Sequence, residues 1–533
     1  MNKPLNHPLD KPLHYPLNHP SPIRSFCLAV RGSAGIGLLV LSLAACAQSR
    51  GGASESPGSS GHDSAARSES VPGSDAKRSL DRSAPAPAAM SAAGDTDAEG
   101  GAAPDAAYSD IAPSEPPVPA PAQAEGQLAA GILTAGSFSD VLNFAAYRAF
   151  AEKFLATGAA AAGNPAVAAS TSGEPVADSQ EPLLGYPQPD FAVGPPLRIR
   201  VVDTGGLGVA DARVVIKAKG DGEALVETVT RASGEVVLLT GLESDAAEQF
   251  FDVTVQPPRG GAAVKGVAMP GDAVNRIALP DVEGVLPKQL DLAFVIDATG
   301  SMGDELEYLK IEVGGIVDVL SEAFPNVDQR YALIVYRDEG DEYVTREFDF
   351  TGDLAEFSHA LSAQSADGGG DYPEAMQDAL ADAAELDWRD EGTARILFLL
   401  ADAPPHVEDA GESMDQVRAL RSAGVAIYPV AASGVAEAAE IIMRTAALLS
   451  ASQYVFLTDD SGVGNQHAEP HIPCYDVEHL DATLIRMIAT ELTGHYIPAK
   501  PDTVLRRVGK GVDGVCRADA AEPGPGPTGT PEQ

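Results

Sequence analysis

The feature that most constrains this chain is a regular alternation of apolar segments and helical stripes between residues 290 and 494. Segments that are apolar and short enough to be strands lie at 290–296, 331–336, 395–400, 425–430 and 454–457. The segments between them carry apolar residues at helical spacing, as at Leu306, Leu309 and Val313. Strands that are apolar on both faces and are joined by helices are typical of a mostly parallel sheet covered on both sides. We therefore predict an α/β fold with a doubly wound, mostly parallel sheet over residues 288–500, with one antiparallel edge strand near 344–350.

Residues 196–282 have a different pattern, in which short alternating runs are separated by glycine-containing turns. The runs lie at 197–202, 212–217, 234–239 and 251–255. Such runs predict a small antiparallel β-sandwich of the immunoglobulin-like kind. The stretches VVDTGGLGVADARVVIKAKG and TRASGEVVLLTG resemble carboxypeptidase-regulatory-like and transthyretin-like modules. That resemblance implies a rigid spacer or interaction unit without catalysis.

Residues 1–45 have the layout of a lipoprotein export signal. Arginines precede the apolar run 34–41, which is too short to span a bilayer. The motif LAAC then ends at Cys46 and resembles the bacterial lipobox, in which the cysteine carries lipid and becomes the mature N-terminus. An ordinary cleavage site with a cysteine nearby is the alternative. Because no other segment is long and apolar enough to cross a membrane, we expect an exported protein held to the cell envelope by a lipid on Cys46. Ala47 after the cysteine favours the outer membrane.

Three further segments contain few large apolar side chains. Residues 46–127 are rich in Ala, Ser, Gly, Pro and Asp and cannot bury enough surface to offset their ordering entropy, so we predict a disordered tether. We predict a linker at 157–190 and a C-terminal tail at 501–533. Residues 128–156 interrupt this pattern with an apolar stripe at helical spacing. They are predicted to form a short helix that either docks on the later domains or binds a partner.

The charge of the chain narrows the class of partner. There are 36 Lys and Arg residues against 77 Asp and Glu residues, a formal net charge of -41. A surface this acidic repels phosphate backbones, so we expect no nucleic-acid partner. The sequence does not indicate an oligomeric state.

The first predicted strand of the α/β region ends in a run of oxygen-bearing side chains at Asp297, Thr299 and Ser301. By itself this run also fits a helix cap, because Asp, Thr and Ser are common at helix N-termini. Two other segments, GGGDYPE at 368–374 and LLADAPPH at 399–406, stand at the ends of other predicted elements in the same region. Together the three segments resemble the metal-ion-dependent adhesion site of von Willebrand factor type A (VWA) domains, which have a Rossmann-like fold.

The resemblance implies one divalent cation bound by Asp297, Thr299, Ser301 and Asp402. In a doubly wound sheet, the loops after the strands that flank the switch point lie side by side. The ligands are all oxygens, which suits Mg2+, Mn2+ or Ca2+ and does not suit zinc. In the family, an open coordination position accepts a carboxylate from a partner protein. The family's third loop often supplies a threonine, whereas this chain has Asp371 there, which either ligates the ion or caps the helix that follows.

Cys474 and Cys516 are the cysteines that remain after the signal and the lipid site are assigned. In an exported chain they predict a disulfide. A zinc site is the alternative, because His467, His471 and His479 lie near Cys474 at spacings that zinc sites use. A third reading is that the histidines are surface or hydrogen-bonding groups and that neither feature forms.

No nucleophile elbow, P-loop or HExxH motif is present in the sequence. We therefore expect a non-enzymatic protein that binds a protein partner at the cell surface in a divalent-cation-dependent way, as in adhesion. Two alternatives stay open. One is a metal-dependent hydrolase that uses the cation site or the His/Cys loop, and the other is a structural envelope protein with a vestigial cation site.

Overall fold

The computed structural model describes residues 131–162 and 193–517, apart from 221, 246, 371 and 463–466. The predicted export signal, Cys46, the tether, residues 163–190 of the linker and the tail after residue 517 lie outside the described residues, as does Asp371. Within the described ranges, no helix has the length and apolar character that crossing a membrane requires.

The described secondary structure starts before the sandwich and continues beyond the predicted α/β region. In chain order the strands are β1 Thr134–Phe138, β2 Pro196–Val202, β3 Arg213–Ala218, β4 Val226–Val229, β5 Glu235–Leu239, β6 Phe251–Gln256, β7 Val264–Ala268, β8 Asn275–Ala278, β9 Gln289–Asp297, β10 Asp328–Tyr336, β11 Thr345–Thr351, β12 Thr393–Ala401, β13 Val425–Ala431, β14 Tyr454–Thr458, β15 Tyr475–His479, β16 Arg506–Val508, β17 Gly511–Val512 and β18 Val515–Cys516. The α-helices are α1 Phe144–Ala162, α2 Leu306–Ala323, α3 Leu354–Ser362, α4 Met376–Glu385, α5 Ala410–Ser422, α6 Glu437–Leu449 and α7 Leu480–Thr493.

The largest sheet has nine strands in the order β11-β10-β9-β12-β13-β14-β1-β15-β16. The run from β10 to β14 in that order is parallel, and β11 is an antiparallel edge strand on β10. In β9, Leu292 and Phe294 face one hydrophobic core while Ala293 and Val295 face the other, which explains why this strand is apolar throughout. The predicted α/β fold with a doubly wound, mostly parallel sheet is therefore confirmed.

Residues 196–278 form two small sheets, β5-β2-β8 and β4-β3-β6-β7. Side chains of both sheets, such as Leu197, Leu238, Val214 and Val253, share one core. One pairing differs from the antiparallel prediction, because β8 lies parallel to β2. The chain crosses from β7 in one sheet to β8 in the other through a short loop, so β8 pairs with β2, a strand far away in sequence, and not with its hairpin neighbour.

The sandwich contacts the amino ends of the central strands. The Asp211 carboxylate accepts hydrogen bonds from Arg395 (3.2 Å), near the start of β12, and from the Gly392 amide (2.8 Å). The Thr228 hydroxyl donates to the Arg421 carbonyl (2.6 Å), shortly before β13. The carboxyl ends of β9 and β12, where the predicted cation ligands stand, are therefore at the opposite edge of the sheet from these contacts.

The segment before the sandwich differs from its prediction as a helix alone. It contributes β1, which lies between β14 and β15 and is antiparallel to both. The approach is close, because a Cβ at Gly136 would lie 2.4 Å from a ring carbon of Phe456. At the other end of the chain, β16 pairs with β15, so residues beyond 500 also belong to this sheet. The sheet is completed by strands from both sides of the predicted 288–500 region.

Buried polar contacts hold this N-terminal segment in place. The fully buried guanidinium of Arg444 pairs with both carboxylate oxygens of Asp140 (2.7 and 3.0 Å) and with Glu440 (2.9 Å). The Tyr147 hydroxyl lies 2.8 Å from that of Thr445. The segment that precedes the sandwich is thus anchored to α6 of the α/β unit.

A disulfide joins Cys474 to Cys516, with their Cα atoms 5.6 Å apart and a sequence separation of 42. In the chain-entropy treatment, closing a loop of this length stabilises the fold by about 4 kcal/mol. We expect the Cys474→Ser, Cys516→Ser double variant to unfold in urea with a loss of this size. The wild type should lose the same amount under reductant, and the variant should not respond to reductant. An unchanged wild-type midpoint under reductant would contradict the expectation.

Candidate metal centre

Two acidic residues stand at the carboxyl ends of adjacent parallel strands. Asp297 is the last residue of β9, and Asp402 follows the last residue of β12 directly. β9 and β12 pair in parallel up to Ile296 and Leu400, so the two side chains leave the sheet at the same edge. Both residues are almost completely buried. The sheet therefore brings together the two carboxylates that the sequence placed in one site.

The hydroxyls of the first motif lie beside Asp297. Its Oδ1 accepts hydrogen bonds from the Thr299 amide (2.9 Å) and the Thr299 hydroxyl (2.7 Å), and the Thr299 and Ser301 hydroxyls are 3.1 Å apart. The other oxygen of Asp297, Oδ2, and Oδ1 of Asp402 are buried without a hydrogen-bond partner among the described residues. Buried carboxylate oxygens are almost always paired, so a bound cation would satisfy two oxygens that the described residues leave unpaired.

The third loop lies against the first motif. The Gly300 amide donates to the Gly368 carbonyl (3.1 Å), and the Gly369 amide donates to Asp341 (2.8 Å). The Tyr372 hydroxyl donates to the Asp402 carbonyl (3.0 Å), which ties this loop to the second carboxylate. Asp371 lies between these anchored residues, outside the described part of the chain, so its predicted choice between ligand and helix cap stays a prediction.

Glu374 is a site residue that the sequence analysis missed. It is 2% exposed, and its Oε2 is buried without a hydrogen-bond partner among the described residues. Its backbone bridges to Pro405, in the loop that carries Asp402. The sequence signal for Glu374 was its position in GGGDYPE, shortly after a glycine-rich loop. The burial of its side chain depends on residues that are distant in sequence.

The buried acidic side chains of Asp297, Asp402 and Glu374 repel one another. Burial raises the pKa of Asp297, although hydrogen bonds from Thr299 offset part of the rise. Burial and the charge of Asp297 raise the pKa of Asp402. Burial and the neighbouring charges of Asp297, Asp338, Asp402 and Asp341 raise the pKa of Glu374 to about 9. A divalent cation would relieve this repulsion, and the oxygen-only donor set fits a hard ion such as Mg2+, Mn2+ or Ca2+.

These shifts make the metal-free protein sensitive to pH. With raised pKa values, the folded state binds more protons than the unfolded state above pH 4, so stability is lost as the pH rises toward 9. Mg2+ would replace those protons, and we expect the gain in melting temperature on adding Mg2+ to be larger at pH 8 than at pH 6. Thermal unfolding with Mg2+ and with chelator at both pH values measures this gain. Equal gains would contradict the expectation.

The histidines of the predicted zinc alternative separate from one another. His467 Nε2 lies 2.7 Å from Glu305 Oε1 and its Nδ1 lies 2.8 Å from Asp459, while His471 Nδ1 lies 2.8 Å from Glu440. Cys474 is in the disulfide. In the part of the chain that the structure describes, no three His, Cys, Asp or Glu side chains are arranged to hold an ion directly. The disulfide removes Cys474 from the zinc alternative, and carboxylates pair with His467 and His471, so the described residues do not favour that alternative.

Comparison with known proteins finds a family match within the α/β region. Residues 291–462 match the family described as von Willebrand factor A domain, and this range contains every proposed ligand. An ariadne-like RING finger protein of Acanthamoeba polyphaga mimivirus is 37% identical over 117 residues, which is 22% of this chain and 11% of that protein. The alpha-protein kinase vwkA of Dictyostelium discoideum is 30% identical over 118 residues, 22% of this chain and 19% of the kinase. The chain therefore spans less than a fifth of the length of these relatives.

Two solved structures are similar to parts of the chain. BatB from Bacteroides thetaiotaomicron covers 27% of this chain and 67% of its own at 15% identity, with a TM-score of 0.22. A von Willebrand factor type A protein from Catenulispora acidiphila covers 46% of this chain and 45% of its own at 14% identity, with a TM-score of 0.25. The family match carries the conclusion: the α/β unit contains a VWA domain. The sandwich, β1, β15 and β16 lie outside the matched residues.

Proposed function

We propose that this VWA domain binds one divalent cation through Asp297, Thr299, Ser301 and Asp402, and through that ion a carboxylate of a partner protein. The observation that carries the proposal is the pair of unpartnered buried oxygens, Asp297 Oδ2 and Asp402 Oδ1, at the ends of adjacent strands beside two hydroxyls. A VWA domain indicates a protein-interaction role of the adhesion type. The ion supplies the binding mechanism, because a divalent cation with a free coordination position binds a carboxylate oxygen as a ligand.

The location of the site supports access by a partner. The ligands lie at the edge of the sheet opposite the sandwich contacts, and the surrounding loop residues Glu339, Gly369 and Glu408 are exposed. A partner can therefore reach this edge without displacing the sandwich. The chain would present the site as a non-enzymatic binding module.

A small carboxylate probe tests the proposed recognition chemistry. The full-length chain is saturated with Mn2+, and the relaxation of water protons by the bound ion is followed as N-acetyl-aspartate amide is added. We expect the relaxation to fall, because the probe's carboxylate displaces a water molecule from the ion. N-acetyl-asparagine amide, which has the same size and no charge, is the matched control and should have little effect. No difference between the two probes would contradict carboxylate recognition.

The proposed location is a lipid-anchored position on the cell envelope, with the lipid on Cys46. We expect Cys46→Ala to leave the protein unprocessed or to release it from the membrane fraction, because a single lipid-bearing residue would be the anchor. Fractionation of cells that express each form measures this. Recovery of the variant and the parent in the same membrane fraction would contradict the anchor.

A further inference from the structure

We propose that Glu374 determines the cation specificity of the site, by holding a water molecule of the bound ion and so favouring Mg2+ over Ca2+. The inference rests on the proposed cation site, and it adds a residue outside the four ligands. It depends on three properties of Glu374: where the backbone holds it, what surrounds its carboxylate, and how far that carboxylate is from direct ligation.

The backbone of Glu374 is fixed between two loops of the site. Its amide donates to the Pro404 carbonyl (3.0 Å), two residues after Asp402. The next amide, of Ala375, donates to the Arg337 carbonyl (3.3 Å), which follows β10 directly. Glu374 is therefore pinned between the loop after β12 and the end of β10, on both sides of the strand that ends in Asp297.

The carboxylate of Glu374 lies next to the first motif. Its Oε1 is 2.9 Å from the position that a Cβ would take at Gly369, and the Thr299 Cβ is 3.2 Å from the same point. Gly369 has a φ of +71°, so a glycine both adopts this turn and leaves room for the carboxylate. Oε2 is buried and has no hydrogen-bond partner among the described residues. The side chain thus reaches the edge of the cation site with an oxygen still to be satisfied.

No cationic side chain of the described residues neutralises Glu374. The charges that act on it most strongly are those of Asp297, Asp338, Asp402 and Asp341, all of the same sign. Nearby cationic groups are engaged elsewhere, since the Arg337 guanidinium donates to the Ala298 and Ser365 carbonyls. His406 lies 2.7 Å from Asp338. To be ionised near neutral pH, a buried carboxyl group in this setting needs a positive ion or a donor that the ion polarises.

The spacing favours contact through water. No three acidic, histidine or cysteine side chains in the described ranges are close enough to hold an ion together, which favours a role for Glu374 through water over direct ligation beside Asp297 and Asp402. Water bound to a divalent cation is a strong donor and fits the unpartnered Oε2. Mg2+ keeps several waters in an octahedral shell, whereas Ca2+ takes six to eight oxygens and exchanges water for protein ligands more readily. A carboxylate that holds a metal-bound water therefore stabilises Mg2+ more than Ca2+.

The test compares Mg2+ and Ca2+ affinities of the full-length chain by calorimetry in the wild type and in Glu374→Gln, which has the same shape without the charge. We expect the variant to lose about 10- to 100-fold in Mg2+ affinity, the loss typical of groups that act on a metal through another group. Its Ca2+ affinity should fall by less than about threefold. Two control variants, Glu312→Gln and Glu339→Gln, should leave both affinities within about twofold. Glu312 is a buried carboxylate bound to the amides of residues 131–133, and Glu339 is exposed on the loop after β10.

The outcomes separate the two proposals. A wild type that binds neither ion overturns the cation site itself. A wild type that binds Mg2+, with a Glu374→Gln variant that either binds both ions normally or loses both equally, overturns only the role of Glu374. Loss of Mg2+ affinity of similar size in Glu339→Gln would also overturn it, because the effect would then be general electrostatics.

Discussion

The Asp297→Asn variant should lose Mg2+ binding and yet fold at least as well as the wild type in chelator. Asparagine keeps the size of the side chain and an oxygen that can accept from Thr299, but it removes a buried negative charge from the cluster with Asp402 and Glu374. Without the ion that charge is repelled and desolvated, so its removal relieves strain in the metal-free state. We expect Mg2+ affinity to fall by more than about 100-fold, beyond the loss expected for groups that act through another group.

Thermal unfolding in Mg2+ and in chelator measures both effects of Asp297→Asn. The wild type should melt at a higher temperature in Mg2+, and the variant should melt at the same temperature in both. Glu339→Gln serves as the matched control, because it removes an exposed negative charge from the loop after β10. A variant that is strongly destabilised in chelator would show that Asp297 has a structural role in place of the proposed ionic one.

The second large effect is expected at the buried ion pair that anchors the N-terminal segment. Arg444→Met leaves the carboxylate of Asp140 buried without its cation and leaves Glu440 paired with His471 alone. Removing one partner of a buried pair costs about 3–5 kcal/mol. We expect a loss of this size in urea unfolding, together with faster proteolysis between residues 131 and 155, because the segment that joins β1 to α1 loses a buried ion pair.

Arg148→Met is the matched control for Arg444→Met. Arg148 lies on α1, is about half exposed and forms a weak pair with Glu152 at 3.9 Å. Its replacement should change stability by less than about 1 kcal/mol. Equal stability of the Arg444 variant and the control would contradict the view that the segment before the sandwich is an integral part of the sheet.

The parallel sheet was predictable from local sequence, and β1 was not. The central strands are buried on both faces, so their unbroken apolar runs identify them directly. β1 reads TAGSF and is built mostly of small residues, and at Gly136 the ring of Phe456 leaves no room for a Cβ. Its strand partners are more than 300 residues away, from Tyr454 onward, and local periodicity carries no information about such a pairing.

The residues of the candidate site also include some that local sequence predicts and one that it does not. Asp297, Thr299, Ser301 and Asp402 were predictable because their residue types and positions at strand ends follow one motif. Glu374 was missed because its burial comes from contacts with Pro404 and Arg337 on two other loops. The pairing of the histidines was also hidden from local sequence, since Glu305 just before α2 holds His467 and Glu440 on α6 holds His471.

β1 lies between β14 and β15, so the central sheet is complete only when the segment before the sandwich is present. A fragment that begins near residue 285 contains the VWA motif but lacks β1, so β14 and β15 would lose their shared neighbour in the sheet. Binding measurements therefore belong on the full-length chain. A negative result with such a fragment would reflect the fold of the fragment and would say nothing about the cation site.

Calorimetric titration of the full-length chain with Mg2+ measures occupancy of the proposed cation site itself. We expect saturable binding of one ion per chain, which chelator reverses and Asp402→Asn abolishes. Asp402 is the informative partner because its Oδ1 is one of the two unpartnered oxygens on which the site rests. Wild-type protein that is folded and shows no binding at millimolar Mg2+, Mn2+ or Ca2+ would contradict the account.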